Sequence, residues 1–265
     1  MRPLSALIIT RNEEHHIGRC IDSLWPVADE IIVLDSFSTD DTVPIALQKN
    51  AVVVQASFPG YIEQKNNALK LAKYDYVLSL DADEALSPRL AASILEAKQE
   101  FRHKAYFMNR YNQYCGKFIK HGLWYPDQKI RLFDKRIACW GGMNPHDKIQ
   151  IPPGEIPRFL KGDILHHTCN TVREHSLRNE RMSSIAANAL FEAGKKKHWS
   201  KIFLSPAWSF CNGFILRLGF LDGYYGLVIA TQTAKLSFLK YQKLRALQKQ
   251  PPGALMIMPN YETGE

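Results

Sequence analysis

The stretch Leu78-Ser79-Leu80-Asp81-Ala82-Asp83-Glu84 sets two carboxylates directly behind a short apolar run. Residues two apart on an extended backbone point the same way. Asp81 and Asp83 therefore converge on one hard cation if the extended geometry continues past Leu80. A divalent ion held by one or two protein carboxylates takes its other ligands from water or phosphate oxygens. Alone, an Asp-x-Asp is more often a solvated loop or a helix cap. Its companions along the chain give this one weight.

Thr10-Arg11-Asn12-Glu13 directly follows the first strand expected from the sequence, where turn amides can hold a base or a phosphate. Asp35 closes the second, and an acid at that place hydrogen-bonds a nucleoside in dinucleotide folds. Lys65, early in a helix, faces either a phosphate or solvent. In Trp140-Gly141-Gly142-Met143-Asn144-Pro145-His146-Asp147 the glycines admit a ligand close to the backbone, and Asp147 is available as a general base. His166-His167 ends a strand, although a lone His is more often a satisfied core or surface residue than a ligand. The chain has no P-loop, Gly-x-Ser-x-Gly elbow or zincin helix.

The elements that must position these residues alternate. Leu4–Ile9 reads as a strand, followed by a helix to about Leu24 with Ile17, Ile21 and Leu24 on one face. Glu30–Leu34 and Ala51–Gln55 are strands, with a helix over Thr42–Lys49 capped by Asp40 and Asp41 between them. Tyr61–Leu71 is a helix, Tyr76–Leu80 a strand, and Ser87-Pro88 opens a helix to about Lys98. This pattern predicts an α/β domain with a mostly parallel mixed sheet wound in βαβ units. Ligands of such sheets lie beyond the carboxyl ends of the strands, where Thr10, Asp35 and Asp81 fall. From Lys104 the rhythm changes to short strands at 105–111, 129–133, 149–151 and 163–166, interrupted by Gly141-Gly142.

The 265 residues suit one large α/β domain over 1–170 with a helical appendage over 171–250 and a loose tail over 251–265. Five scattered cysteines, never in a Cys-x-x-Cys pair, argue against zinc or a disulfide framework and for a reducing compartment. The N-terminus lacks a signal-peptide cleavage region, so a cytosolic start is expected.

The net charge of +8 is uneven: residues 195–249 hold ten Lys/Arg against one acid, Asp222. That segment is also the most apolar. A capping box at Thr171–Glu174 opens one helix. An apolar stretch, Ile202–Leu221, follows, broken by Pro206 and carrying Arg217. After the turn at Asp222-Gly223, Leu227–Leu247 forms a helix from which Lys235, Lys240, Lys243 and Arg245 emerge. The apolar stretch approaches the ~20 residues of a membrane span, yet its proline and its charge suit a hairpin lying in an anionic membrane interface. A buried helical subdomain with a basic outer face is the alternative. Nucleic acid, which favours a polar basic face, is not an expected partner.

Taken in order, Leu7-Ile8-Ile9-Thr10-Arg11-Asn12-Glu13-Glu14, Asp35-Ser36-Phe37-Ser38-Thr39-Asp40, Gln64-Lys65-Asn66-Asn67-Ala68 and Asp81-Ala82-Asp83-Glu84 resemble the family 2 inverting glycosyltransferases of GT-A fold. Tyr125-Pro126-Asp127, Arg131-Leu132-Phe133 and the Gly141/His146-Asp147/His166 series extend the likeness, which looks most like the bacterial lipopolysaccharide-core β-1,4-glucosyltransferase group. The resemblance implies a Rossmann-like GT-A domain over 1–170 that takes UDP-glucose or another UDP-linked sugar. It implies that Thr10, Arg11, Glu13 and Asp35 bind the nucleotide sugar, with Lys65 near the nucleotide. Asp81 and Asp83 would hold ribose and a diphosphate bound to Mg²⁺ or Mn²⁺, with His166 as a further metal or phosphate ligand. Asp147 would be the base, and Gly141, Gly142 and His146 a donor or acceptor loop. That group usually has Glu after this His; Asp147 is one methylene shorter, and the wider family uses it. The implied acceptor is a lipopolysaccharide-core or other lipid-linked saccharide at the cytoplasmic face of the membrane. Polyprenyl phosphate, a surface polysaccharide, and a retired fold acting as a membrane adaptor are the rival readings.

Overall fold

The computed structural model describes residues 1–143, 146–195 and 199–249. Strands Leu4–Thr10 (β1), Glu30–Asp35 (β2), Val52–Gln55 (β3) and Tyr76–Asp81 (β4) run parallel in the order β3-β2-β1-β4. The inner three are buried on both sides and read as near-continuous apolar runs, as central parallel strands must. Side chains alternate between two cores. Leu4, Ala6 and Ile8 meet helices Ile17–Leu24 (α1) and Thr42–Gln48 (α2) on one face. Leu7 meets helix Tyr61–Leu71 (α3) on the other.

Glu84–Leu86 (β5), Ala105–Tyr114 (β6), Lys117–Phe118 (β7), Asp127–Asp134 (β8) and Arg158–Cys169 (β11) complete a nine-stranded mixed sheet in the order β3-β2-β1-β4-β8-β6-β11-β5, with β7 beside β6. Cys139–Met143 (β9) and His146–Gln150 (β10) form a separate antiparallel hairpin. Helix Pro88–Lys98 (α4) joins the α1 side, its first turn capped by Ser87 Oγ on the Leu90 N–H at 3.3 Å. The α/β class and the mostly parallel sheet are as expected, and β5, β7 and β9 are additions.

Several local expectations are corrected. Gly141 and Gly142 lie inside β9 rather than between strands, and a Cβ on Gly141 would run into Gln150 across the hairpin. Asp40, not Asp41, accepts the Thr42 N–H at 3.1 Å at the start of α2. Pro206 is accommodated within a helix, Ser200–Cys211 (α6), and the break comes later, at Leu218 with φ 58°.

Beyond the sheet, Val172–Glu192 (α5) begins at the expected capping box, where Thr171 Oγ1 accepts the Glu174 N–H at 3.1 Å. After α6, a π-helical turn (Asn212–Leu216) and a 3-10 turn (Gly219–Asp222) lead into Gly223–Lys249 (α7), which packs on both α5 and α6. Lys235 and Lys243 do not project freely: they reach Ser176 at 2.8 Å and Glu180 at 3.1 Å on α5. The tail expected over 251–265 lies outside the described residues.

Candidate active site

The carboxyl ends of β1, β2 and β4 meet along one edge, and the loops behind the first two are tied together. Asn12, at φ 55°, donates its N–H to Ser38 Oγ at 2.9 Å and accepts the Thr39 N–H at 2.9 Å. Glu13 N–H donates to Thr42 Oγ1 at 2.7 Å, and its carboxylate pairs with His16 at 2.8 Å. Thr10 Oγ1 and Gln64 Oε1 are buried at this edge without a protein partner. Orphaned buried polar atoms are rare and mark places where a ligand or water completes the bonding. Asp35 is fully buried, and its carboxylate is engaged within the chain, by Ser38 N–H at 2.9 Å, the Ser38 hydroxyl, and Gln55 Nε2 at 3.0 Å. Its neighbour Phe37 stands 57% exposed. Arg11 lies on the surface.

β4 ends at Asp81 and Ala82-Asp83 turn, so the extended geometry that would have aligned the two acids does not persist. They go to different partners. Asp81 faces α3 and β8: Lys65 Nζ lies 2.9 Å from Oδ1 and Arg131 Nη2 2.8 Å from Oδ2. Burial opposes the charge on Asp81, but Arg131 and Lys65 outweigh it and hold the carboxyl well below the usual range. The same Lys65 Nζ is 2.8 Å from Asp147 Oδ2 on β10. Asn66 explains that reach. Its side chain donates to the Trp140 carbonyl at 2.9 Å and accepts the Trp140 N–H at 3.0 Å, pinning α3 to β9. Lys65 then lies over the Trp140 ring, 4.4 Å from its centroid. Arg131 also binds the fully buried Glu84 at 2.8 Å, and Arg110 approaches that carboxylate at 3.3 Å and holds Asp127 at 2.8 Å.

Asp83 faces His166, whose Nε2 is 3.1 Å from Oδ2. Here too burial opposes the charge, and His166 overcomes it to lower the Asp83 carboxyl pKa. Asn112 fixes the imidazole: its Nδ2 donates to the Trp124 carbonyl at 2.8 Å, which turns its Oδ1 to His166 Nδ1 at 2.6 Å. Nδ1 is therefore the donor. Nε2 is aimed at the Asp83 carboxylate, where one cation could lie between the two. An imidazole whose outer nitrogen is held by a hydrogen-bond acceptor is the arrangement metal-binding histidines adopt, so the pair fits a divalent ion. Among the described residues no cluster of three or more His, Cys, Asp or Glu is arranged to hold a metal. A cation on this pair would thus complete its shell with diphosphate and water. Arg19 on α1 adds a further orphan: its Nε and Nη2 are buried without a protein partner.

Of the residues expected from the sequence, Lys65, Asp81 and Asp147 form one cluster and Asp83 and His166 a second beside it. Gly141 and Gly142 line the strand paired with Asp147, with Gly142 opposite Asp147 itself. His146 pairs with Met143 through its backbone, and its side chain lies outside the described part. Sequence reading gave no role to Arg131, Glu84, Arg110, Asn112 or Arg19. A charged residue inside the apolar run Ile130-Arg131-Leu132-Phe133 was the available signal for the first.

The Glycosyl transferase family 2 profile matches residues 5–152. An uncharacterized glycosyltransferase of Rickettsia typhi is 33% identical, over 93% of this chain and 88% of its own length. The lipopolysaccharide core biosynthesis glycosyltransferase LpsC of Rhizobium meliloti is 28% identical over 94% and 95%. Among solved structures, glucosyl-3-phosphoglycerate synthase from Mycobacterium tuberculosis, in complex with Mn²⁺, uridine diphosphate and glucosyl-3-phosphoglycerate, has the same fold. It aligns with a TM-score of 0.50 and 18% identity, covering 74% of this chain and 81% of that one. With its profile match, its full-length relatives and its GT-A architecture, the chain belongs to glycosyl transferase family 2.

Proposed function

We propose that this family 2 glycosyltransferase moves a hexose from a UDP-linked sugar, UDP-glucose first among them, to a lipopolysaccharide-core or other lipid-linked saccharide, with inversion, at the inner face of the cytoplasmic membrane. The observation that carries the reading is Lys65, whose one ammonium joins Asp81 to Asp147 beside the Asp83–His166 pair. Donor-binding and proton-accepting groups thereby share one edge of the sheet. The likeness to LpsC supports the acceptor class.

In this reading Thr10, Arg11, Glu13 and Asp35 border the nucleoside, Asp35 by shaping the Ser38 turn. Asp83 and His166 would hold Mg²⁺ or Mn²⁺, which when bound neutralises charge on the departing diphosphate. A diphosphate beside Asp83 offers Lys65 a competing anion, and Asp147, released from Lys65, takes the proton of the acceptor hydroxyl. The acceptor oxygen bonds to the anomeric carbon as the bond to the diphosphate breaks, and UDP leaves. A positioned base of this kind contributes about 10²–10⁴-fold. The test is Asp147→Asn, expected to lose transfer by about that factor while keeping UDP-sugar affinity. Transfer at the wild-type rate would remove Asp147 from its role.

A further inference from the structure

The chemistry above leaves the outer surface of the C-terminal hairpin unused. Trp199, Leu204, Trp208, Leu216, Leu221 and Tyr224 are each between 56% and 72% exposed. Leu204 and Trp208 are one helical turn apart on α6, and Leu216, Leu221 and Tyr224 follow through the bend into α7. Large apolar side chains exposed in this number on one hairpin mark an interaction site. Between 199 and 227 the charged residues are Lys201, Arg217 and Asp222. Asp222 is buried, where it accepts the N–H groups of Lys120 at 3.2 Å and His121 at 2.8 Å. The exposed charge on this surface is thus positive only, and Arg245 and Lys249 are exposed farther along α7.

The hairpin is also held firmly to the catalytic domain. Gly122 N–H donates to the Arg217 carbonyl at 2.9 Å, and Ser205 bonds Ser237 at 2.8 Å between α6 and α7. Gly213, Gly219 and Gly226 pack backbone to backbone, where any Cβ on Gly219 or Gly226 would collide with a carbonyl oxygen. The loop that receives the hairpin carries Trp124, whose carbonyl orients Asn112 and through it His166.

We infer that the α6–α7 hairpin enters one leaflet of an anionic bilayer as a preformed wedge, its aromatic and aliphatic face in the acyl region and its Lys and Arg at the headgroups. This deepens the proposed membrane-face reading and rests on it for biological sense. An apolar face with basic flanks is the chemistry that binds anionic lipid surfaces. No single described helix is long and apolar enough to cross a membrane, and Ser200–Leu216 with Gly219–Lys249 pass that test only as a pair bent by 71°. With the π-helical turn that continues it to Leu216, α6 forms an arm of about 25 Å, short of a hydrocarbon core of ~30 Å.

The experiment uses the full chain, without donor or acceptor, and vesicles of phosphatidylcholine with about one-third phosphatidylglycerol. Co-sedimentation is expected for the wild type, weakened but not abolished by high salt, with tryptophan fluorescence quenched most by lipids brominated near the headgroup end of the chain. The variant Phe203→Ser/Leu204→Ser/Leu216→Ser/Leu221→Ser is expected to bind at least tenfold more weakly at unchanged melting temperature and UDP affinity. Equal binding by wild type and variant, or no vesicle binding by the wild type, overturns the inference. So does a wild-type dimer that the variant dissolves without any vesicle binding, since a second copy would then cover the face. Because the assay contains no sugar donor, failed transfer with intact vesicle binding counts against the transferase reading alone.

Discussion

Replacing Lys65 by Met removes the cation that bridges Asp81 and Asp147. Lys65 is 4% exposed, Asp147 16% and Asp81 29%. Breaking a fully buried pair costs about 3–5 kcal/mol. Asp81 keeps Arg131, however, and both acids retain some water. The expected cost is therefore smaller, about 2 kcal/mol, or about 4–8 °C in melting temperature for a chain of this size. The sign of the pH dependence is diagnostic. In the wild type the Asp81 carboxyl pKa is depressed, so its contribution is present above the unfolded carboxyl value of about 3.9 and is lost as pH falls through the lower folded value. In Lys65→Met two neighbouring carboxylates face each other, and one holds its proton to higher pH than in the unfolded chain. The deficit of the variant should therefore shrink on going from pH 7.5 to 5. Adding Asp147→Asn to Lys65→Met should recover most of the loss, giving a coupling above about 1 kcal/mol in the double-mutant cycle. Thermal unfolding of the four proteins at three pH values measures both effects. A deficit independent of pH, with additive costs for the two substitutions, would refute the bridging role.

Three further outcomes follow from other parts of the molecule. Asp83→Asn and His166→Gln should each remove the Mn²⁺-dependent part of the UDP thermal shift, whereas Asp147→Asn should leave it in place. Asp134, fully buried at the end of β8, accepts from Arg136 at 2.6 and 2.8 Å and from Lys104 at 3.1 Å. Burial alone would raise its carboxyl pKa, but Arg136 and Lys104 bring it down to about 2. Its contribution is present above the unfolded value and is lost as pH falls through about 2, so Asp134→Asn should flatten the acid limb of urea stability between pH 4 and 2. Gly141→Val should weaken the β9–β10 hairpin, because its side chain would need the space of Gln150. Slower transfer with normal UDP binding is the expected kinetic result.

The strand–helix order and the sheet edge where ligands gather were legible in the sequence because central parallel strands are continuous apolar runs with polar residues at their ends. Asp147 and Lys65 were each identifiable, but their contact was not. It depends on Asn66 clasping the Trp140 backbone across 74 positions of sequence, which no local pattern records. The pairing of Asp81 with Asp83 failed for a different reason. Period-2 logic holds only while the strand lasts, and the carboxylate of Glu84 turns back to accept the Asp81 N–H at 3.0 Å and supports a turn there. Arg131 was obscured because a cation in a buried strand makes sense only once Asp81 and Glu84 are seen on either side of it.

In the proposed function Asp83 and His166 together hold the cation on which the donor diphosphate rests. Pulsed electron paramagnetic resonance of Mn²⁺, added with UDP to the full-length protein, addresses it directly. The spectrum should show nitrogen modulation from one imidazole and phosphorus coupling from the diphosphate, with the nitrogen signal lost in His166→Gln. Phosphorus coupling without any nitrogen, or a nitrogen signal that survives His166→Gln, would contradict the assignment.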